Sequence, residues 1–458
     1  MMRKARETIE RYTMLAPGDR VGVAVSGGAD SVALVHLLFG LAGAYSLTLM
    51  VLHLNHGVRG EEADRDEKFV ATMARSMGIS YESERISVPT LRQQRGGGSV
   101  EDICRQERYA FFDRMVRKHE LDRIALGHTL SDQVETVLMR FLRGSGLEGL
   151  KGFLPLRDGI YIRPLMEVTR DEVASCLKER DIPFVTDSSN EDTHYLRNRI
   201  RAELVPKLKD AYNANLEETV GHTTEILRVE DDFIRESVAK IITEWEIDTE
   251  EARLPLTRLK ELHPALLWRL IKTILESHSP LQNGIGYRHV KAVVDLINAS
   301  GPNVSVDLPF NLASRREYDH LVVAPKESTS AMHDFSWEVR IPGGVDIPGT
   351  GRRVVFEQAA VKEADLSSQN PVFMDCRAVS PPLVIRNMRP GDRIQPLGMK
   401  EMKKVARILM DAKIPKTRRR AMPLLADQES VLWVPGLRLS ERVRVTDMTE
   451  KVVKAEII

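Results

Sequence analysis

The run Val21-Gly-Val-Ala-Val25 passes directly into Ser26-Gly27-Gly28-Ala29-Asp30-Ser31 and then into an apolar stretch reaching Leu41. A β-branched segment, two adjacent glycines and an apolar helical stretch specify a buried strand, a tight turn and a buried helix, in that order. Amides of the loop and of the first helical turn then point one way, with about half a positive charge from the aligned peptide dipoles. Ser26 and Ser31 add hydroxyl donors, and the segment reads as a cradle for phosphate. No Gly-Lys-Ser/Thr follows, so it is not a Walker A loop, and the spacing is not Gly-x-Gly-x-x-Gly, which disfavours a dinucleotide.

The same alternation continues to about residue 200. Strands are expected at 47–54, at 79–88, where apolar and polar residues alternate, and at 123–126, with helices at 61–77, 101–119 and 131–142 between and after them. Apolar strands alternating with helices predict an α/β fold, a doubly wound parallel sheet covered on both faces. Beyond residue 215 the pattern changes. Ile226, Val229, Phe233, Val238, Ile241 and Trp245 recur at three- and four-residue steps, the stripe of a long amphipathic helix. Further helices precede short Gly/Pro-punctuated strands. The expected organisation is 1–215 for the α/β domain, 216–335 for a mainly helical domain with terminal strands, and 336–458 for a small α+β domain. A length of 458 residues suits such a division.

Lysine plus arginine equals aspartate plus glutamate, 66 against 66, so any contact with nucleic acid must come from a local patch. The longest apolar-rich run, Val32 to Tyr45, falls short of the roughly 20 residues that a bilayer requires. Cys104, Cys176 and Cys376 have no metal or redox spacing. A soluble, cytoplasmic protein without membrane contact is expected.

Ser-Gly-Gly-x-Asp-Ser after the first strand resembles the PP-loop of the ATP pyrophosphatase superfamily, whose members split ATP between the α- and β-phosphates. Further segments narrow the resemblance to the tRNA(Ile)-lysidine synthase family. They are His53-Leu-Asn-His-Gly-Val-Arg59, Cys104-Arg-Gln-Glu-Arg-Tyr109, Gly127-His-Thr-Leu-Ser-Asp-Gln-Val-Glu-Thr136, Arg140-Phe-Leu-Arg-Gly-Ser-Gly-Leu-Glu-Gly149, Arg163-Pro-Leu165, Asp187-Ser-Ser-Asn190 and Arg197-Asn-Arg-Ile-Arg201. The resemblance implies ATP as co-substrate, Mg²⁺, free L-lysine, and a tRNA(Ile) with a CAU anticodon. The wobble cytidine would be adenylated and AMP then displaced by lysine. A monomer and a homodimer both stay open.

Residue by residue, Ser26, Gly27, Gly28, Ala29, Asp30 and Ser31 would bind the nucleotide. Asp132 and Glu135 lie three apart and share one helix face beside the loop. With Asp30 they are the metal candidates. Alternatively, one of the pair receives the lysine ammonium, or both merely complement a helix dipole, worth about 0.3–1 kcal/mol each. His128 is a phosphate contact or a core histidine. Arg108 is the better candidate than Arg105 for charge developing on the α-phosphate. Cys104 reads as a small packing residue.

Residues 386–420 hold twelve basic side chains against three acids, a local charge of +9. Arg389, Arg393, Lys403, Lys404 and Arg407 are its candidate RNA contacts. This region also resembles the family's C-terminal domain, expected to bind the acceptor arm. Arg197 and Arg201 are candidates for the anticodon region. The rivals are another PP-loop tRNA-modifying enzyme, an amide ligase, or a non-catalytic RNA-binding module. The lack of Cys-x-x-Cys disfavours a thiolase. Met1-Met2-Arg3 and the sparse cysteines disfavour a glutamine amidotransferase, and the intact acidic set disfavours a decayed module.

Overall fold

The computed structural model describes residues 1–458 except 59, 98, 187–194, 250, 279–283, 302–303, 327–334, 348–350, 364–367, 369, 415–418 and 421. Arg59, the segment Asp187-Ser-Ser-Asn190, and Lys416 and Arg418 of the basic stretch therefore lie outside the described residues. Two compact units are present, Met1–Phe233 and Ile234–Ile458.

The first unit opens with α1 (Met2–Arg11), β1 (Arg20–Ala24), α2 (Ala29–Tyr45), β2 (Thr48–Asn55), α3 (Glu61–Ser76) and β3 (Ser80–Arg85). It continues with α4 (Val88–Gln94), α5 (Val100–His119), β4 (Arg123–Ala125), α6 (Leu130–Leu142) and α7 (Leu147–Leu150). Then come β5 (Leu156–Arg157), β6 (Tyr161–Ile162), α8 (Arg170–Glu179), α9 (Leu196–Arg199), a π turn over Ile200–Leu204, α10 (Val205–Ala211) and α11 (Leu216–Glu244), within which the first unit ends at Phe233.

The sheet order is β3-β2-β1-β4-β6-β5, parallel throughout except for β5, which pairs antiparallel with β6. Winding reverses at β1, between β2 and β4, and that switch point opens a crevice at the strand C-termini. Gly22 at the centre of β1 is required by packing: a Cβ there would meet Leu52, Ile124 and Leu121 side chains at 2.7–2.9 Å. Helix α2 is apolar nearly all round because it is covered all round. Val32, Leu34, Val35, Leu37, Leu38 and Leu41 are buried against the sheet and against Ala5 and Ile9 of α1 and Val173 and Leu177 of α8. Each such side chain contributes about 1.5–3 kcal/mol.

Strand β3, in the stretch expected to alternate apolar and polar residues, has no fully buried side chain. It is a charged edge whose Glu82 and Glu84 pair with Lys118 (2.8 Å) and Arg114 (2.7 Å) on α5. Charge on an open edge discourages pairing with another chain. The early part of α11 also differs from the expected apolar stripe. Ile226, Val229 and Phe233 are exposed, whereas Thr224 and Asp231 are buried. The helix attaches to the first unit through polar contacts: Lys151 Nζ to Asp231 Oδ2 at 2.6 Å, Ser131 Oγ to Glu217 Oε1 at 2.5 Å, and Arg228 Nη1 to the Phe153 carbonyl at 3.2 Å.

In the second unit, helices Pro264–Ser277 and Tyr287–Asn298 pack on an antiparallel sheet of 252–255, 320–325, 312–317 and 305–308. A five-stranded and a four-stranded antiparallel sheet follow, sharing a core of Val354, Phe356, Ile385, Leu425, Trp433 and Val453. A ribbon of Arg393–Ile394 with Lys403–Lys404 leads into the helix Val405–Asp411. Among the described residues, no helix is long and apolar enough to cross a membrane.

Candidate active site

The phosphate-type loop is locked from within. The Ser31 hydroxyl donates to the Gly28 carbonyl (2.9 Å) and accepts from the Ser26 N–H (3.2 Å). Gly27 adopts a positive φ of 96°, and its carbonyl accepts from the Val185 N–H at 2.9 Å. From β2, the buried His53 places Nδ1 2.8 Å from the Val25 carbonyl, which anchors the chain just before the loop.

Helix α2 begins at Ala29 with no side-chain cap on its first turn. Its neighbours α6 and α8 both carry capping boxes, Thr129 with Asp132 and Thr169 with Glu172. The N–H groups of Ala29 and Asp30 have no helical acceptor, so among the described residues no side chain caps this end of the dipole, which suits an anion. Gly127 presses the end of β4 onto the same turn: a Cβ there would lie 3.2 Å from the Ser31 nitrogen and 3.3 Å from the Asp30 carbonyl.

Asp132 and Glu135 are nearly sealed from solvent, and three arginines hold them. Arg170 reaches Asp132 Oδ1 (2.8 Å) and Glu135 Oε1 (3.1 Å). Arg197 reaches the same Asp132 oxygen (3.0 Å) and Glu135 Oε2 (2.9 Å). Arg201 donates to both Glu135 oxygens, at 2.6 and 3.0 Å. Burial alone would raise the Asp132 pKa, but Arg197 and Arg170 outweigh it and hold the group below the usual carboxylate range. Burial opposes ionisation of Glu135 as well, and Arg201 overcomes it. Both groups are carboxylates at neutral pH.

Asp30 is different. Burial, reinforced by the charge of Asp132, pushes its pKa up to about 6, and Arg170 at 3.7 Å is too distant to offset this. Among the described residues its buried Oδ1 has no hydrogen-bond partner. His128 stacks on Phe153 with centroids 4.7 Å apart and accepts at Nδ1 from Arg163 Nε at 3.3 Å. Burial and Arg163 lower its pKa well below the ordinary imidazole range. The ring is therefore neutral, with its proton on Nε2 as a potential donor. Arg108 is exposed, its Nη2 3.4 Å from Nε2 of His56.

The structure thus gathers Asp30, Asp132 and Glu135 around one guanidinium, that of Arg170, which sequence reasoning missed. The capping box Thr169-x-x-Glu172 marks the start of α8 and so the position of Arg170, but not what it faces. Phe153 and Arg163 as partners of His128 were missed too. Arg197 and Arg201, candidates for the anticodon region, are engaged with the two carboxylates.

The basic stretch of the second unit is less uniform than its composition. Arg386 is buried in a bidentate pair with Asp392 (2.9 and 2.8 Å), and Arg419 donates to the Ile414 carbonyl and the Tyr318 hydroxyl. Lys413 pairs with Asp319 at 2.9 Å. Arg389, Arg393, Lys404 and Arg407 are exposed, and Lys403 is half-buried on the ribbon.

A family model described as a PP-loop domain matches residues 1–208, and one described as the TilS substrate C-terminal domain matches 383–455. A tRNA(Ile)-lysidine synthase of Caldanaerobacter subterraneus subsp. tengcongensis is 32% identical over 100% of this chain and 97% of its own. The synthase of Symbiobacterium thermophilum is 34% identical, covering 100% of this chain and 98% of its own. That of Solibacter usitatus is 35% identical, covering 92% and 94%. An uncapped helix end at the sheet's switch point, a buried acidic set beside it and similarity along the whole length agree, and the chain belongs to the tRNA(Ile)-lysidine synthase family.

Proposed function

We propose that the protein ligates L-lysine to C2 of the wobble cytidine of a CAU-anticodon tRNA(Ile), consuming ATP and releasing AMP and pyrophosphate. The observation that carries the reading is the uncapped first turn of α2, set under Ser26-Gly27-Gly28 and within reach of the Asp30–Asp132–Glu135 group. Phosphates would take the open N–H groups of this turn and the Ser26 hydroxyl. The cytidine O2 attacks the α-phosphorus, and the bond to the bridging oxygen breaks with departure of pyrophosphate. The lysine ε-amine then adds at C2, AMP leaves with the O2 oxygen, and the amine loses a proton.

His128, neutral and protonated at Nε2, is suited to donate a hydrogen bond to a phosphate oxygen without adding full charge. Arg108 supplies a full positive charge for the α-phosphate. Asp132 and Glu135, ionised at neutral pH, are suited to an ammonium group once an arginine moves aside. Asp30 fits a divalent cation best, since among the described residues one of its buried oxygens has no partner; Asp132 and Glu135 would join it only by exchanging guanidinium contacts. Bound there with the phosphates, Mg²⁺ would neutralise charge on the departing pyrophosphate.

The segments 216–335 and 336–458 would hold the body of the tRNA, with Arg389, Arg393, Lys403, Lys404 and Arg407 on its phosphates. A cytoplasmic setting suits these substrates. The test is pyrophosphate release from ATP, measured with and without tRNA(Ile) transcript and with each amino acid in turn. Release coupled to tRNA, with AMP formation and incorporation specific to lysine, is expected. Dependence on glutamine or on a sulfur donor would refute the reading.

A further inference from the structure

A second concentration of positive charge lies beside His128 in the first unit. Arg105 of α5 has Cζ 5.8 Å from the centroid of the Tyr109 ring, and Arg157 has Cζ 4.3 Å from the same ring and 4.5 Å from that of Tyr161. The buried Arg163 lies close to both Tyr109 and Arg157, and its Nε bonds His128. Arg140 of α6 donates from Nη1 to the carbonyls of Gly149 (2.8 Å) and Gly152 (3.1 Å) and feels the charge of Arg105.

Acids are sparse around these four guanidiniums. Asp158 pairs with Arg157 at 3.0 Å, Glu148 faces Arg140, and Asp113 is occupied by the Tyr161 hydroxyl at 2.6 Å. Arg105 is exposed and has no acid partner among the described residues. Ring faces and carbonyls fix the orientation of these cations without cancelling their charge. Such a group keeps a repulsion that a bound anion removes, and the planar forks of arginine suit phosphate oxygens.

We propose that Arg105, Arg140 and Arg157, backed by Arg163, bind a backbone phosphodiester of the RNA substrate on the Arg163 side of His128. The proposal deepens the function argued above and rests on it. Arg157 covers one of the ring positions at Tyr109, which favours a phosphate contact over stacking of a base. Arg105, on the solvent side of α5, is where a polymer arriving from outside meets the group first.

The test compares Arg105→Gln and Arg105→Lys in the full chain. Affinity for tRNA(Ile) is measured over a series of salt concentrations, alongside inhibition by free pyrophosphate and the melting temperature. Arg105→Gln should weaken tRNA binding about 3- to 10-fold and flatten the slope of log affinity against log salt by about 0.7 to 0.9, one phosphate's worth. Arg105→Lys should restore the slope, with the melting temperature and pyrophosphate inhibition unchanged. An unchanged slope in Arg105→Gln overturns the proposal. Weaker inhibition by pyrophosphate with intact tRNA affinity overturns it too, by assigning the group to the leaving group. A wild-type enzyme that binds the tRNA with the Arg105-dependent slope yet uses no lysine would refute the proposed reaction while upholding this site.

Discussion

Replacing Asp30 by asparagine tests whether the loop is built at the expense of stability. The carboxyl titrates at about 6 in the folded chain against 3.8 for an ordinary aspartate. Because the folded pKa is raised, the protonated form supports the fold. That support is complete below the unfolded pKa and is lost as pH rises from about 4 through 6. A displacement of about two pKa units corresponds to about 3 kcal/mol at most, and with part of the side chain in contact with water about 1–3 kcal/mol is expected. The asparagine amide stays neutral at every pH and escapes this loss. Asp30→Asn should therefore be about 1–3 kcal/mol more stable than the parent at pH 8 and equal to it near pH 4, while losing pyrophosphate release. Fluorescence is the wrong probe, since Trp245, Trp268, Trp337 and Trp433 all belong to the second unit. Hydrogen exchange of peptides covering α2, followed through urea at several pH values, reads the correct unit. A stability gap that does not grow between pH 4 and pH 8, or a variant less stable at pH 8, would refute the reasoning.

Two other substitutions probe the remaining charges. Glu135→Gln removes the negative partner of three guanidiniums in a buried position and should cost about 3 kcal/mol in the first unit's urea unfolding, with a change under about 1 kcal/mol counting against the clamp. Replacing Lys403, Lys404 and Arg407 together by glutamine should lower the salt dependence of tRNA binding by about 2–3 in slope and leave ATP-dependent steps intact at saturating tRNA; an unaltered slope would remove that surface from the interface.

The parts of the fold legible in the sequence are those whose signal is local. The strand at 20–24, the loop after it and the apolar α2 follow from period, glycine and β-branching alone. So does α6, whose capping residues stand next to its start. The hairpin of β5 and β6 went unread although Asp158-Gly159, both at positive φ, is a strong turn signal, because each strand has only two residues. That the polar residues of β3 are ion-paired was not legible, since their partners, Arg114 and Lys118, sit on α5 about thirty residues away in sequence. The same limit hid Arg170. Its bonds to Asp132 and Glu135 span 38 and 35 residues and depend on how α8 meets α6, which no local pattern encodes. Arg197 and Arg201 were noticed as cations, but a single sequence does not distinguish an arginine facing solvent from one turned onto a buried carboxylate.

The arginine cluster carries a consequence for the order in which substrates can arrive. Three guanidiniums already occupy the oxygens of this acidic pair, so an ammonium ion approaching Asp132 and Glu135 by itself must displace one of them. A polyphosphate seated first at the start of α2 would draw one guanidinium toward itself and leave a carboxylate oxygen exposed. Nucleotide before amine is then the order of addition expected from the wiring of this acidic pair.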